Sequence, residues 1–197
     1  MNHKQIKTVA VYCASSSKAL PIYYEAAASV GEHFAAAGLQ VVFGGGKDGL
    51  MGAMANRLLE KGGKATGVMP RFMCDEGWQH HGLTELKIVE TMHQRKAFMA
   101  EMADAVLAMP GGIGTFDELF EIITWKQLGL FPKPIVILNT NNYFQYFLQL
   151  MEHAEKEKFI RNEHHQIWEL VDQPEQVVTA LENAFPWPDD ARRFAAV

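Results

Sequence analysis

The stretch Ala105-Val-Leu-Ala-Met-Pro-Gly-Gly-Ile-Gly-Thr-Phe-Asp-Glu118 decides how the rest of the chain is read. Its apolar opening, residues 105–109, has the length and continuity of a buried strand. Gly111, Gly112 and Gly114 follow. An amphipathic helix is then expected from Thr115 to Leu128, with Phe116, Leu119, Phe120 and Ile123 as its buried stripe and Gly129 as its stop. A glycine-rich turn between a strand end and a helix start lets backbone N–H groups face a ligand. The helix dipole adds partial positive charge there, so phosphate is the expected guest. Thr115 and Glu118 also have the spacing of a capping box, which would satisfy N–H groups at the helix start without any ligand. That pattern leaves the glycines unexplained, since one glycine suffices for a tight turn.

Outward from this stretch, short apolar runs alternate with helical patterns. Strands are expected at residues 8–13, 40–43, 64–69, 85–89 and 135–138, besides 105–109. Helices are expected at 21–37, with Pro21 in its first turn and Gly38 at its end, and at 50–59, with Met51, Met54 and Leu58 on one face. A further helix starts at the capping box Thr91-Met-His-Gln94 and carries Arg95 and Lys96. Helices over 143–156 and 175–185, with a short apolar segment near Trp168 between them, complete the pattern; the tail from about residue 186 reads as loosely held, peripheral surface. Such alternation implies an α/β fold: a Rossmann-like, three-layer, doubly wound parallel sheet with helices on both faces, as one domain over residues 1–197. Ligands of such sheets bind beyond the carboxyl ends of the strands, where the strand order reverses. Three small-residue turns, 14–17, 44–49 and 110–114, lie at such ends and can converge on one crevice.

Several residues carry two readings. Ser15, in the first of these turns, can donate to a phosphate or ribose, or cap the helix that follows. Gly44-x-Gly46-x-x-Gly49 matches the dinucleotide fingerprint but follows the second strand, and no acidic residue ends the next one, which runs into Pro70-Arg71. Gly44 and Gly45 are therefore read as a second backbone wall of the crevice, or as a tight turn. Residues 70–83 form the least regular stretch and, with Trp78, could cover the site. The adjacent pairs His80-His81 and His164-His165 lack further ligands at metal-binding spacing, so no metal is expected, and the second pair is read as a solvated helix face. Arg95 offers a planar fork suited to phosphate or to a carboxylate such as Glu118, whereas Asp117 points elsewhere by its spacing.

Composition narrows the classes further. With 197 residues, 48% apolar and 21% charged, the chain can bury a sizeable core. A net charge of −5 with no concentration of Lys and Arg argues against a nucleic-acid surface. No run reaches membrane-spanning length or has the flanks of a signal peptide. Two distant cysteines, Cys13 and Cys74, fit a reducing cytoplasm, with Cys13 as a small buried hydrophobe.

The stretches Pro110-Gly-Gly-Ile-Gly-Thr-Phe-Asp-Glu118 and Met92-His-Gln-Arg95-Lys96 resemble the PGGxGTxxE and MHxRK signatures of the Lonely Guy family, the cytokinin riboside 5′-monophosphate phosphoribohydrolases, many once labelled lysine decarboxylases. The resemblance extends through Cys13-Ala-Ser-Ser16, Gly44-Gly-Gly46, Gly49-Leu-Met-Gly52 and Ile123-Thr-Trp125. It implies a cytoplasmic homodimer that binds a nucleoside 5′-monophosphate, AMP or an N6-prenylated AMP, and cleaves its N-glycosidic bond without a cofactor. The implied catalytic pair is Arg95 and Glu118, with phosphate and ribose contacts on Gly111, Gly112, Gly114 and Thr115 and with Lys96 and Thr124 lining the site. Where the family commonly has Gly-Glu before the MHxRK helix, this chain reads Asp75-Glu76-Gly77, which displaces Glu76 by one position. Glu118 would stabilise positive charge on the sugar and orient water, and Arg95 would hold Glu118 ionised. The apolar region 125–131 is a candidate dimer interface. Other classes would use the same features differently: a non-catalytic nucleotide carrier or sensor, an NAD(P)-dependent oxidoreductase with Arg71 on a 2′-phosphate, or, last, a decarboxylase needing an electron sink such as pyridoxal phosphate.

Overall fold

The computed structural model describes residues 6–188. Seven strands form one sheet: β1 (Thr8–Tyr12), β2 (Gln40–Phe43), β3 (Ala65–Pro70), β4 (Glu85–Val89), β5 (Ala105–Ala108), β6 (Ile135–Leu138) and β7 (Glu169–Val171). Their order in space is β4-β3-β2-β1-β5-β6-β7, and every pairing is parallel. The chain runs outward from β1 to β4, returns to place β5 against β1, and runs outward again. The order reverses at the β1–β5 pair, registered from Val9 with Ala105 to Tyr12 with Ala108. A crevice opens at the carboxyl ends of that pair because the connections leave it towards opposite faces.

Strand side chains alternate between two cores, as the two-residue period requires. Val9, Val11 and Cys13 face α1 (Pro21–Ala36), α2 (Gly49–Glu60) and α7 (Val177–Asn183), whereas Ala10 and Tyr12 face α4 (Met92–Met102), α5 (Ile113–Gln127) and α6 (Gln145–Lys156). The doubly wound, three-layer sheet expected from the alternating pattern is what forms. Among the described residues, no helix is long and apolar enough to cross a membrane.

Several local expectations are corrected. Helix α5 starts at Ile113 with Gly112 as its N-cap, so Thr115 is the third residue of its first turn and not a cap, and no capping box forms there. Its buried face is Thr115, Glu118, Leu119, Ile122, Ile123 and Lys126, while Phe120 is 38% exposed. Ranking positions by hydrophobicity turns the helix by one residue, because three of the inward positions, Thr115, Glu118 and Lys126, carry polar groups. The seventh strand, β7, has three residues at the sheet edge, too few for a period to be read. A short helix, α3 (Arg71–Asp75), lies within the irregular stretch. His164 is not on a solvated face: it is 2% exposed, and its Nδ1 accepts the Arg161 N–H at 3.1 Å. Trp187, in the tail read as loosely held, is 6% exposed and packs in the core with α4 to α6, while residues 189–197 lie outside the described range.

Helices α1 and α2 approach closely at Gly31, where a Cβ would stand 2.4 Å from the Met54 carbonyl oxygen and 3.0 Å from the Leu58 nitrogen. An alanine in a helix normally gains about 1 kcal/mol over glycine. Here the neighbours are backbone atoms that cannot rotate away, and overpacking of this kind costs about 1–3 kcal/mol. Gly31→Ala is expected to lower the urea midpoint of unfolding; a raised midpoint would show that the two helices part at no cost.

Candidate active site

The three small-residue turns meet. The Ala14 N–H donates to the Pro110 carbonyl at 3.1 Å and the Met51 N–H donates to the Ala14 carbonyl at 3.2 Å, which laces the ends of β1, β2 and β5 together. Around them lies a cavity of about 580 Å³. That volume lies within the usual range for small-molecule sites.

The amino end of α5 forms one side, through Gly112, Ile113, Gly114 and Thr115. The first intrahelical bond, from the Phe116 N–H to the Gly112 carbonyl at 3.1 Å, leaves the preceding N–H groups outside the helical ladder. A Cβ at Gly112 or Gly114 would meet nothing within 4 Å, so packing does not demand glycine there, and the bare backbone borders open space. Gly111 differs: a Cβ on it would stand 2.0 Å from Thr115 Oγ1, so it serves packing behind the cavity and does not line it.

Arg95 lies one turn into α4, whose start is fixed by the capping box of Thr91 and Gln94. It is 7% exposed. Its Nη1 approaches the sulfurs of Met73 and Met92, each at 3.8 Å, and its Nε is buried without a hydrogen-bond acceptor. Among the described residues no carboxylate lies within ion-pair distance of it. A side chain at Gly44 would displace the guanidinium, since a Cβ there would stand 1.8 Å from Nη2. A buried cation without a partner is costly, so the arrangement is one that an anionic ligand would complete.

Glu118 also lines the cavity and is 7% exposed. Burial pushes its carboxyl up to about 7; the charges of Arg95 and Lys96 pull it down, and those of Asp117 and Glu121 push it further up. It is therefore poised between proton acceptor and donor near neutrality. Asp117, expected to point elsewhere, lines the cavity. Lys96 does not line it; its Nζ donates to Asp117 at 3.0 Å and pairs with Glu121 at 3.2 Å. Burial acts to lower the Lys96 ammonium, but these two carboxylates hold it above its ordinary value. Ser15 and Gly44 line the cavity, whereas Gly45 sits behind the turn and Thr124 is exposed, donating to the Phe120 carbonyl at 2.8 Å.

The remaining wall is apolar. Met51, Met69, Met73, Met92 and Trp78 line it. Met73 and Trp78 belong to the irregular stretch, which is strapped onto the turn after β2. Gly46 bridges to Gln79, the Lys47 N–H donates to the Trp78 carbonyl at 3.1 Å, and the His80 N–H donates to the Gly45 carbonyl at 2.9 Å. Lys47 Nζ adds a bond to the Gly77 carbonyl at 2.6 Å. Glu76, the displaced acid, caps α3, is exposed and does not reach the cavity. The methionines carried no sequence signal beyond core filling, and the strap's contribution depends on a tertiary bridge that no local pattern announces. No cluster of three or more potential metal ligands occurs among the described residues.

Residues 51–181 match a protein-family model described as "Possible lysine decarboxylase". The chain is 46% identical over 155 residues to the cytokinin riboside 5′-monophosphate phosphoribohydrolase of Rhodococcoides fascians, covering 78% of each chain. It is 35% identical to the cytokinin riboside 5′-monophosphate phosphoribohydrolase LOG of Oryza sativa subsp. japonica, covering 94% of this chain and 79% of that one. Among solved structures, the molybdenum cofactor carrier protein of Chlamydomonas reinhardtii superimposes with a TM-score of 0.69 at 16% identity, over 91% of this chain and 98% of that one. That likeness is one of fold.

Because Glu118 holds its proton more tightly in the folded than in the unfolded chain, the unfolded state binds fewer protons between about pH 4.5 and 7. Stability is lost as pH rises through that window, by up to about 3 kcal/mol. Glu118→Gln, which cannot ionise, is expected to melt higher than the wild type at pH 8 and to lose this advantage at pH 4.5. An equal offset at both values would mean that Glu118 is not held against ionisation.

Proposed function

The chain belongs to the family of the cytokinin riboside 5′-monophosphate phosphoribohydrolases, and from that premise we propose that it hydrolyses the N-glycosidic bond of a purine riboside 5′-monophosphate, AMP or an N6-prenylated AMP. The observation that carries this reading is the buried Arg95, whose Nε has no acceptor and which no carboxylate pairs among the described residues, in the same cavity as Glu118 and the amino end of α5. The 5′-phosphate docks on the N–H groups from Gly112 to Thr115, which carry the positive end of the helix dipole. The ribose then lies over Glu118, and the base lies against the methionines and Trp78. As the bond from C1′ to the base breaks, its electron pair leaves with the base and positive charge develops on the sugar. The Glu118 carboxylate stabilises that charge and accepts a proton from the water whose oxygen bonds to C1′. The departing base takes up a proton from solvent and Glu118 returns its own to solvent, giving free base and ribose 5-phosphate. Arg95 supplies charged donors to the substrate and favours the ionised form of Glu118 across the cavity.

Two other readings find less support. The 44–49 turn is ill suited to a dinucleotide: Gly45 does not line the cavity, Gly49 is glycine because a Cβ would stand 2.5 Å from Ser15 backbone carbon, and Arg71 pairs with Glu90 at 3.6 Å. Lys47, which reaches the cavity, spends its ammonium on the Gly77 carbonyl and is poorly placed as a Schiff-base lysine. The same proposal makes the protein a cytoplasmic homodimer. Cys13 and Cys74 are both free thiols, which suits a reducing compartment, and the exposed Phe120, Leu128 and Leu130 offer an apolar face on and beyond α5.

The test is chromatographic: the protein incubated with AMP and with N6-isopentenyl-AMP is expected to release free base. Glu118→Ala is expected to lower kcat by about 10²-fold or more, as is usual for loss of a positioned acid–base group. Since the carboxylate form acts, kcat/KM should rise with pH through about 7 and level off above it. Undiminished base release by Glu118→Ala would remove Glu118 from the chemistry, and no release from either nucleotide would overturn the assignment.

A further inference from the structure

Behind the amino end of α5 stands Tyr143, which does not line the cavity. Its hydroxyl donates to the Gly111 carbonyl. Its ring is held edge-on by Tyr23 at 5.9 Å and by Phe144 at 5.2 Å, and it stacks on Phe116 at 6.3 Å. The turn that delivers it is costly. Asn141 and Asn142, at φ 54° and 55°, both adopt the left-handed conformation that side chains disfavour. Side-chain bonds sustain it: Asn139 Oδ1 accepts the Phe144 N–H at 2.8 Å, and Asn141 Nδ2 donates to the Tyr23 hydroxyl at 3.4 Å. Strained backbone persists where the surroundings over-determine it, and such places cluster near functional sites.

The geometry of one peptide gives this turn a purpose. The chain has no cis bond among its described residues, so the Gly111 carbonyl and the Gly112 N–H point in opposite directions from one planar unit. The carbonyl is gripped from behind by Tyr143, and Gly112 borders the cavity. Both residues flanking this peptide are glycines, whose backbone freedom leaves little else to stop the unit turning over. Turned over, it would aim a carbonyl oxygen at an anion in place of a donor.

We propose that Tyr143 is a positioning residue for phosphate recognition: its hydroxyl locks the Gly111–Gly112 peptide so that the Gly112 N–H faces the substrate's 5′-phosphate. The inference rests on the nucleotide reading above and extends it to a residue outside the cavity.

Tyr143→Phe removes one oxygen and keeps the ring packing. By calorimetry, its affinity for AMP and for inorganic phosphate is expected to fall by about 10–100-fold, the worth of one hydrogen bond to a charged group. Its affinity for adenosine, which lacks the phosphate, is expected to stay within about two-fold of wild type, a selectivity that a purely structural role would not produce. Unchanged binding of AMP and phosphate would overturn the proposal, and so would a loss of adenosine in proportion to AMP. A wild-type protein that binds neither AMP nor phosphate would instead remove the phosphate site itself, a separate result. If the variant does not fold, the wild type still decides. On adding inorganic phosphate, the Gly112 amide proton should move downfield in NMR spectra, and a response at Gly114 and Thr115 without Gly112 would overturn the assignment.

Discussion

A guanidinium is a permanent cation in proteins, and Arg95 is nearly buried with two methionine sulfurs as its acceptors. Water no longer solvates much of it and, among the described residues, no carboxylate neutralises it. Leaving a charge so placed costs several kcal/mol, which packing elsewhere must offset. The offset is visible in the two cores that sandwich the sheet, where Val9, Val11, Ala10 and Tyr12 alternate between faces. The features near the guanidinium follow from it: Gly44 is glycine so that Nη2 can lie against it, and a capped helix start fixes the first turn from which the side chain extends.

Helix α5 supplies the opposite side of the same electrostatic arrangement. Its amino end borders the cavity, and Glu118 adds a carboxyl that lies within the arginine's field. Burial alone would keep Glu118 protonated well above the ordinary range of a carboxylic acid, and the cations Arg95 and Lys96 draw it back towards neutrality. Lys96 therefore acts at a distance: its own ammonium is spent on Asp117 and Glu121. Structure and proposed chemistry oppose each other here, since the carboxylate form that serves as base is the form that burial disfavours.

Much of this was legible in the sequence because the signals were local. Apolar runs gave β2, β4 and β6 to the residue, and Thr91 with Gln94 announced the start of α4. The turns after β1, β2 and β5 were legible as glycine- and serine-rich strand ends, and the parallel sheet brings them together. What was missed depended on three-dimensional neighbours. Gly112 and Gly114 read as loop, yet the first caps α5 and the second is helical. Hydrophobicity placed Phe120 inward and Asp117 away, whereas the inward positions belong to Thr115 and Glu118. His164 looked solvated beside His165 until the turn around it was seen to bury one ring and leave the other against Glu155 at 2.9 Å. The methionine and tryptophan wall arises from a strap whose bridge to Gly46 joins residues more than thirty positions apart.

The most direct test is a crystal structure of Glu118→Gln with AMP bound, a variant that keeps the shape of the site while removing the proposed base. The phosphate is expected on the N–H groups from Gly112 to Thr115, with C1′ of the ribose facing residue 118, Arg95 donating to the nucleotide and the base against Met73 and Trp78. A phosphate seated instead on the turn from Gly44 to Gly49, or an Arg95 that remains against its two sulfurs without touching the nucleotide, would contradict the account.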